Sequence, residues 1–101
     1  MIRVIDGTRC NTDTAQMIYQ QDNGLFVDDY HFRQETIYRT PKGRYFVHLA
    51  GGAGTPYSRR LEEGGQWDSV GGEWIYLVVP SKGAKALIDD AKKALGLHGD
   101  K

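Results

Sequence analysis

The chain has 101 residues, a formal net charge of zero and 40% hydrophobic residues, 11% of the chain being aromatic. This suits one domain over residues 1–101 with a single core, and it argues against both a disordered tail and a dedicated DNA-binding protein. No apolar run approaches the roughly 20 residues that span a membrane, the opening Met1–Gly7 lacks the features of a signal peptide, and the lone Cys10 excludes an internal disulfide, which fits a reducing cytoplasm.

"MIRVID" alternates Ile2 and Val4 with Arg3 and reads as a short strand with a turn at Asp6-Gly7. "NTDTAQMIYQQDNG" reads as a helix. Thr12 or Asp13 can cap it, Gln16 stands three residues after Asp13 as in a capping box, and Ala15, Ile18 and Tyr19 share one face. "LFVDDYHF" fits either a strand or a loop carrying aromatics. "HFRQETIYRT" and "RYFVHLA" read as two strands of a hairpin joined by the Pro41-Lys42-Gly43 turn. In the second strand Tyr45, Val47 and Leu49 share one face, and Phe46 and His48 the other.

Residues 51–72 hold seven glycines and read as an irregular segment with a helical turn across "YSRRLEE". "EWIYLVV" reads as a strand buried on both faces, stopped by Pro80. "SKGAKALIDDAKKALGL" reads as a helix with Ser81 as N-cap, an apolar stripe of Ala84, Leu87, Ile88, Ala91 and Leu95, and a Schellman ending at Gly96-Leu97. The expected fold is α+β: a small antiparallel sheet of three to five strands with two helices, in the order β-α-β-β-β-α.

Charge is spread unevenly. Residues 1–30 sum to minus three, residues 31–60 to plus five and residues 61–101 to minus two. The basic stretch with interleaved aromatics, Arg39, Lys42, Arg44, Tyr45, Tyr57, Arg59 and Arg60, could neutralise and stack single-stranded nucleic acid. As a plain sheet edge, the same charges guard against aggregation. His48 on the hairpin, with Arg39 and Arg44 flanking the turn, could serve a small ribonuclease as general base and phosphorane clamp. "GGAGT" matches neither a phosphate loop nor a dinucleotide fingerprint, and the histidines form no metal pair, so no cofactor or metal is expected. Cys10 has no evident base partner. Asp28 and Asp29 could meet a partner's arginines, and Trp67 could anchor a protein partner, since Trp, Tyr and Arg dominate interface hot spots. A free edge strand would also permit a homodimer.

"IDGTRCNTDTA" and "ETIYRTPKGRYFVHLAGGAGTPYS" resemble a recurrent family of short, uncharacterised bacterial and phage proteins. Its members carry an ETxYxTxxGxYFxH hairpin, and "VVPSKGAKALIDDAKKAL" is similar in form to their capped C-terminal helix. Cys10 departs from the aromatic residue usual in that family. The resemblance implies a mobile-element setting, in which cargo of this size includes anti-CRISPR inhibitors. The expectation is therefore a non-enzymatic, cytoplasmic protein-binding module that inhibits a bacterial defence complex, such as a CRISPR effector, by occupying a surface. Its contact residues would come from Asp28, Asp29, Arg39, Arg44, Tyr57, Arg59, Arg60 and Trp67. The alternative is a small ribonuclease or nucleic-acid-binding protein using the basic hairpin and His48.

Overall fold

The computed structural model describes residues 1–97; His98, which the sequence places in a frayed tail, lies outside them. Eight strands and one helix follow one another as β1 (Ile2–Ile5), β2 (Thr8–Asn11), β3 (Gln16–Asp22), β4 (Arg33–Arg39), β5 (Tyr45–Gly51), β6 (Arg59–Glu63), β7 (Gln66–Val70), β8 (Gly72–Val78) and α1 (Ala84–Ala94). The centre is an antiparallel sheet of order β3-β4-β5-β8, and β1–β2 and β6–β7 are separate two-stranded hairpins. The expected two-helix α+β arrangement is therefore corrected: among the described residues the protein is mostly β with one helix.

The first expected helix is strand β3. An isolated helix of that length is marginal in water, whereas the same residues gain a ladder with β4 and two side-chain bonds to it. Gln20 Nε2 donates to Thr36 Oγ1 at 3.0 Å and Gln21 Nε2 to Glu35 Oε1 at 2.6 Å. The apparent helical spacing of Ala15, Ile18 and Tyr19 comes from a bulge: the register shifts between Met17 and Tyr19, and the extra residue, Ile18, is exposed. Asp13 caps nothing. Its N–H instead donates to Asn11 Oδ1 at 2.9 Å in the turn that enters β3.

The segment read as irregular also holds structure. Residues 52–58 run through turns, and "YSRRLEE" enters strand β6 rather than a helical turn. Gly64 and Gly65, with φ of 62° and 84°, close β6–β7 as a two-residue turn with both central residues left-handed, a turn that suits the twist of paired strands. Asp6 and Gly7 close β1–β2 in the same way.

The sheet is covered on both faces. Leu87, Ile88 and Ala91 of α1 pack with Leu97 on Ile37, Val47, Leu49 and Tyr57. On the opposite face Cys10 of β2 packs on Phe46 and Ile75. The alternation read in β5 is the one observed, as is the Thr40–Arg44 turn, where the Arg44 N–H donates to Thr40 Oγ1 at 3.0 Å. The helix begins later than expected, with Gly83 rather than Ser81 at its N-cap. It ends in the expected Schellman pair, Leu97 N–H to Lys92 O at 2.7 Å and Gly96 N–H to Lys93 O at 3.2 Å.

One buried carboxylate ties these parts together. Glu35 faces α1, receives hydrogen bonds from Gln21 and the Tyr57 hydroxyl, and lies 3.3 Å from Lys92 Nζ. Burial alone would raise its pKa. The bonds from Gln21 and Tyr57 and the charge of Lys92 outweigh that and hold it below the ordinary glutamate value. Burial, and then the bond to Glu35, push the Tyr57 hydroxyl far up, so it stays a donor.

Candidate functional site

Antiparallel pairing sends two connections to one end of the sheet: residues 23–32 between β3 and β4, and the β5–β8 connection, which consists of residues 52–58 and the β6–β7 hairpin. This pole carries exposed apolar side chains. Phe26 is 84% exposed and Val27 78%, with Leu25, Tyr30 and Leu61 also exposed and Trp67 at 56%. Soluble proteins seldom group such residues without a use for them.

Loop 23–32 is built, not slack. Asp22 Oδ1 accepts the Gly24 N–H at 2.8 Å, Asn23 Nδ2 donates to His31 O at 2.7 Å, and Asp29 Oδ1 accepts the His31 N–H at 2.8 Å. These short polar side chains serve backbone groups that would otherwise need water or secondary structure. The loop is then sewn to its neighbour: Gly54 N–H donates to Tyr30 O at 2.8 Å, and a Cβ at Gly54 would collide with the Tyr30 ring. The tip at Leu25, Phe26 and Val27 thus stands between flanks that hydrogen bonds tie down on both sides. Presentation of this kind lowers the ordering cost of binding.

The β6–β7 hairpin presents two faces. Pairing of Glu62 with Trp67 and Arg60 with Ser69 sets these four on one side, where the Arg60 guanidinium lies 5.1 Å from the Trp67 ring centroid. Arg59 and Leu61 are on the other side. Arg59 also lines a cleft of about 460 Å³ at the hairpin's base, together with Val27, Gln34, His48 and Glu73. Inside it His48 Nε2 lies 2.8 Å from Glu73 Oε1, while His48 Nδ1 is buried and has no partner among the described residues.

The residues singled out in the sequence fall into three places. Asp28, Asp29, Arg59, Arg60 and Trp67 are at the pole, although Asp29 is occupied in holding its own loop. Arg39 and Arg44 are exposed at the opposite end of the sheet, beside the β4–β5 turn. Tyr57 is fully buried against Glu35 and offers nothing to a partner, because its ring belongs to the core under α1. The ribonuclease constellation is not assembled. Arg39 pairs with Tyr45, which puts it three residues along the ladder from the His48–Thr36 pair, about 10 Å away, and on the opposite face of the sheet.

Most of the hairpin motif has a structural use. Glu35 holds the helix, Tyr38 stacks on Phe46 with ring centroids 5.2 Å apart, Thr40 closes the turn, and Phe46 is core. Sequence reasoning missed Leu25, Phe26, Val27 and Tyr30, and also Arg3 and Glu73, which line the cleft. The run "LFV" between Gly24 and Asp28 was the available signal: three consecutive apolar residues between turn formers have no face to bury.

Among the described residues no group of three or more His, Cys, Asp or Glu side chains could hold a metal ion, and no helix is long and apolar enough to cross a membrane. No protein-family model matches the chain, and no curated protein or solved structure matches it.

Proposed function

We propose that the protein is a non-enzymatic protein-binding module that grips its partner between loop 23–32 and the β6–β7 hairpin. The observation that carries this is the pole itself, a loop tied by hydrogen bonds at its flanks with Phe26 and Val27 exposed at its tip, beside a separate hairpin with exposed Trp67. Aromatic anchors on a preorganised scaffold are the usual energetic centre of an interface, and Arg59 and Arg60 supply the polar rim. The motif resemblance supports the more specific form: an inhibitor of a bacterial defence complex, such as a CRISPR effector, acting by occupying a surface in the cytoplasm of the host cell.

Catalysis by His48 has less support. Its Nε2 is engaged by Glu73 and its Nδ1 is buried, Arg39 is on the opposite face of the sheet, and Arg44 is four residues away at the β4–β5 turn. The test is affinity capture by the tagged protein from nuclease-treated bacterial lysate expressing CRISPR effectors. The proposal expects a stoichiometric effector complex that is lost from a Phe26→Asp, Trp67→Ala variant. Retention of RNA alone in an untreated control would replace it with the nucleic-acid reading.

A further inference from the structure

At the end of the sheet opposite the protein-binding pole, two turns face each other: the Asp6-Gly7 turn of β1–β2 and the Pro41-Lys42-Gly43 turn of β4–β5. Between them lies a notch of about 530 Å³, bordered by Arg9, Lys42 and Arg44 and by Thr8, Thr14 and Thr40. No carboxylate lines it. Arg9, Lys42 and Arg44 are all exposed, and among the described residues none of them has an ion-pair partner. A neutral chain has thus collected three unpaired cations and a set of hydroxyl groups around one concavity. The basic surplus of residues 31–60 explains only part of this, because Arg9 arrives from β2.

Two guanidinium groups offer forked donors that match the oxygens of a phosphate, an ammonium adds a point charge, and hydroxyl groups donate to the remaining oxygens. Because the notch has no large aromatic wall, recognition would rest on the anion and not on a stacked base. We propose that this notch is a binding site for phosphate groups, independent of the protein-binding pole. The phosphate would come either from a free nucleotide or from the backbone of a single strand.

The experiment is fluorescence anisotropy with a labelled 12-nucleotide single-stranded RNA at 50 mM salt, with AMP and pyrophosphate as competitors. The expected result is saturable binding with a log–log salt slope of about −2, from roughly three neutralised phosphates at about 0.7 each. The Arg9→Gln, Lys42→Gln, Arg44→Gln variant should bind at least tenfold more weakly, while Arg59→Gln, Arg60→Gln binds as the unaltered protein does. All five positions are exposed, so thermal melting should show that both variants fold. Competition by AMP or pyrophosphate at comparable concentration identifies a free nucleotide as the source, and competition by unlabelled strand alone identifies the backbone. No binding by any probe, or binding that survives the triple variant, overturns the proposal.

Discussion

Replacing Glu35 with alanine tests how the helix is held to the sheet. The residue is 4% exposed. Without it, the Lys92 ammonium 3.3 Å away, on a side chain 20% exposed, loses its counter-charge, and the buried Tyr57 hydroxyl loses its acceptor. Breaking one side of a buried ion pair costs about 3–5 kcal/mol, and orphaning a buried hydroxyl about 1–3 kcal/mol. Lys92 can still reach solvent, so the low ends apply, and a total of about 3–4 kcal/mol is expected. On a chain of this size that is a fall in melting temperature on the order of 15 °C. Glu35→Gln keeps an acceptor and removes the charge, and should lose about half as much. Urea denaturation followed by far-UV circular dichroism at pH 7 measures both. A loss below about 1 kcal/mol for Glu35→Ala would mean that Glu35 does not hold the helix to the sheet. The same residue fixes a pH dependence. Its folded pKa is depressed, so its stabilisation is complete above the ordinary glutamate value and disappears as pH falls through the lower folded value. The unaltered protein should therefore lose stability in that acid range more steeply than Glu35→Gln, and equal slopes would contradict the assignment.

Other outcomes follow from packing and exposure. Phe46→Ala empties a fully buried site between β2 and the sheet and should cost about 3–5 kcal/mol in the same denaturation assay. Cys10 is buried, and desolvation raises its thiol pKa despite the opposing charge of Arg44, so iodoacetamide should label it slowly in the folded protein and fast in urea; equal rates would place the thiol at the surface. Gly65→Val forces a branched residue into φ of 84° and should raise amide exchange in β6 and β7 while leaving β4 and β5 protected.

The sequence is most informative where two independent local signals agree. The β4–β5 hairpin was legible because alternation and the Pro41-Lys42-Gly43 turn agreed, and the C-terminal helix because its stripe and Schellman ending agreed. Strand β3 was not, because the bulge at Ile18 mimics helical spacing and its decisive partners, Thr36 and Glu35, lie on another strand. The β6–β7 hairpin was hidden by its own glycines, which read as looseness although Gly64 and Gly65 form a tight turn. Tyr57 looked like a surface aromatic among arginines because nothing local reveals the carboxylate that buries it. The pole was legible only in fragments. Asp28, Arg59, Arg60 and Trp67 stand out in the sequence, but Phe26 and Val27 join them only through the topology of the sheet.

The pole is proposed to bind a protein of a bacterial defence system. The most direct test is a phage-plating assay in bacteria carrying active CRISPR systems of several types, with the protein expressed as it stands or as Phe26→Asp, Trp67→Ala. Both positions are exposed, so the variant's melting temperature should change by only a few degrees. The unaltered protein should restore plating against at least one system, and the pole variant should not. Restoration by both proteins, or by neither against any system, would contradict the proposal.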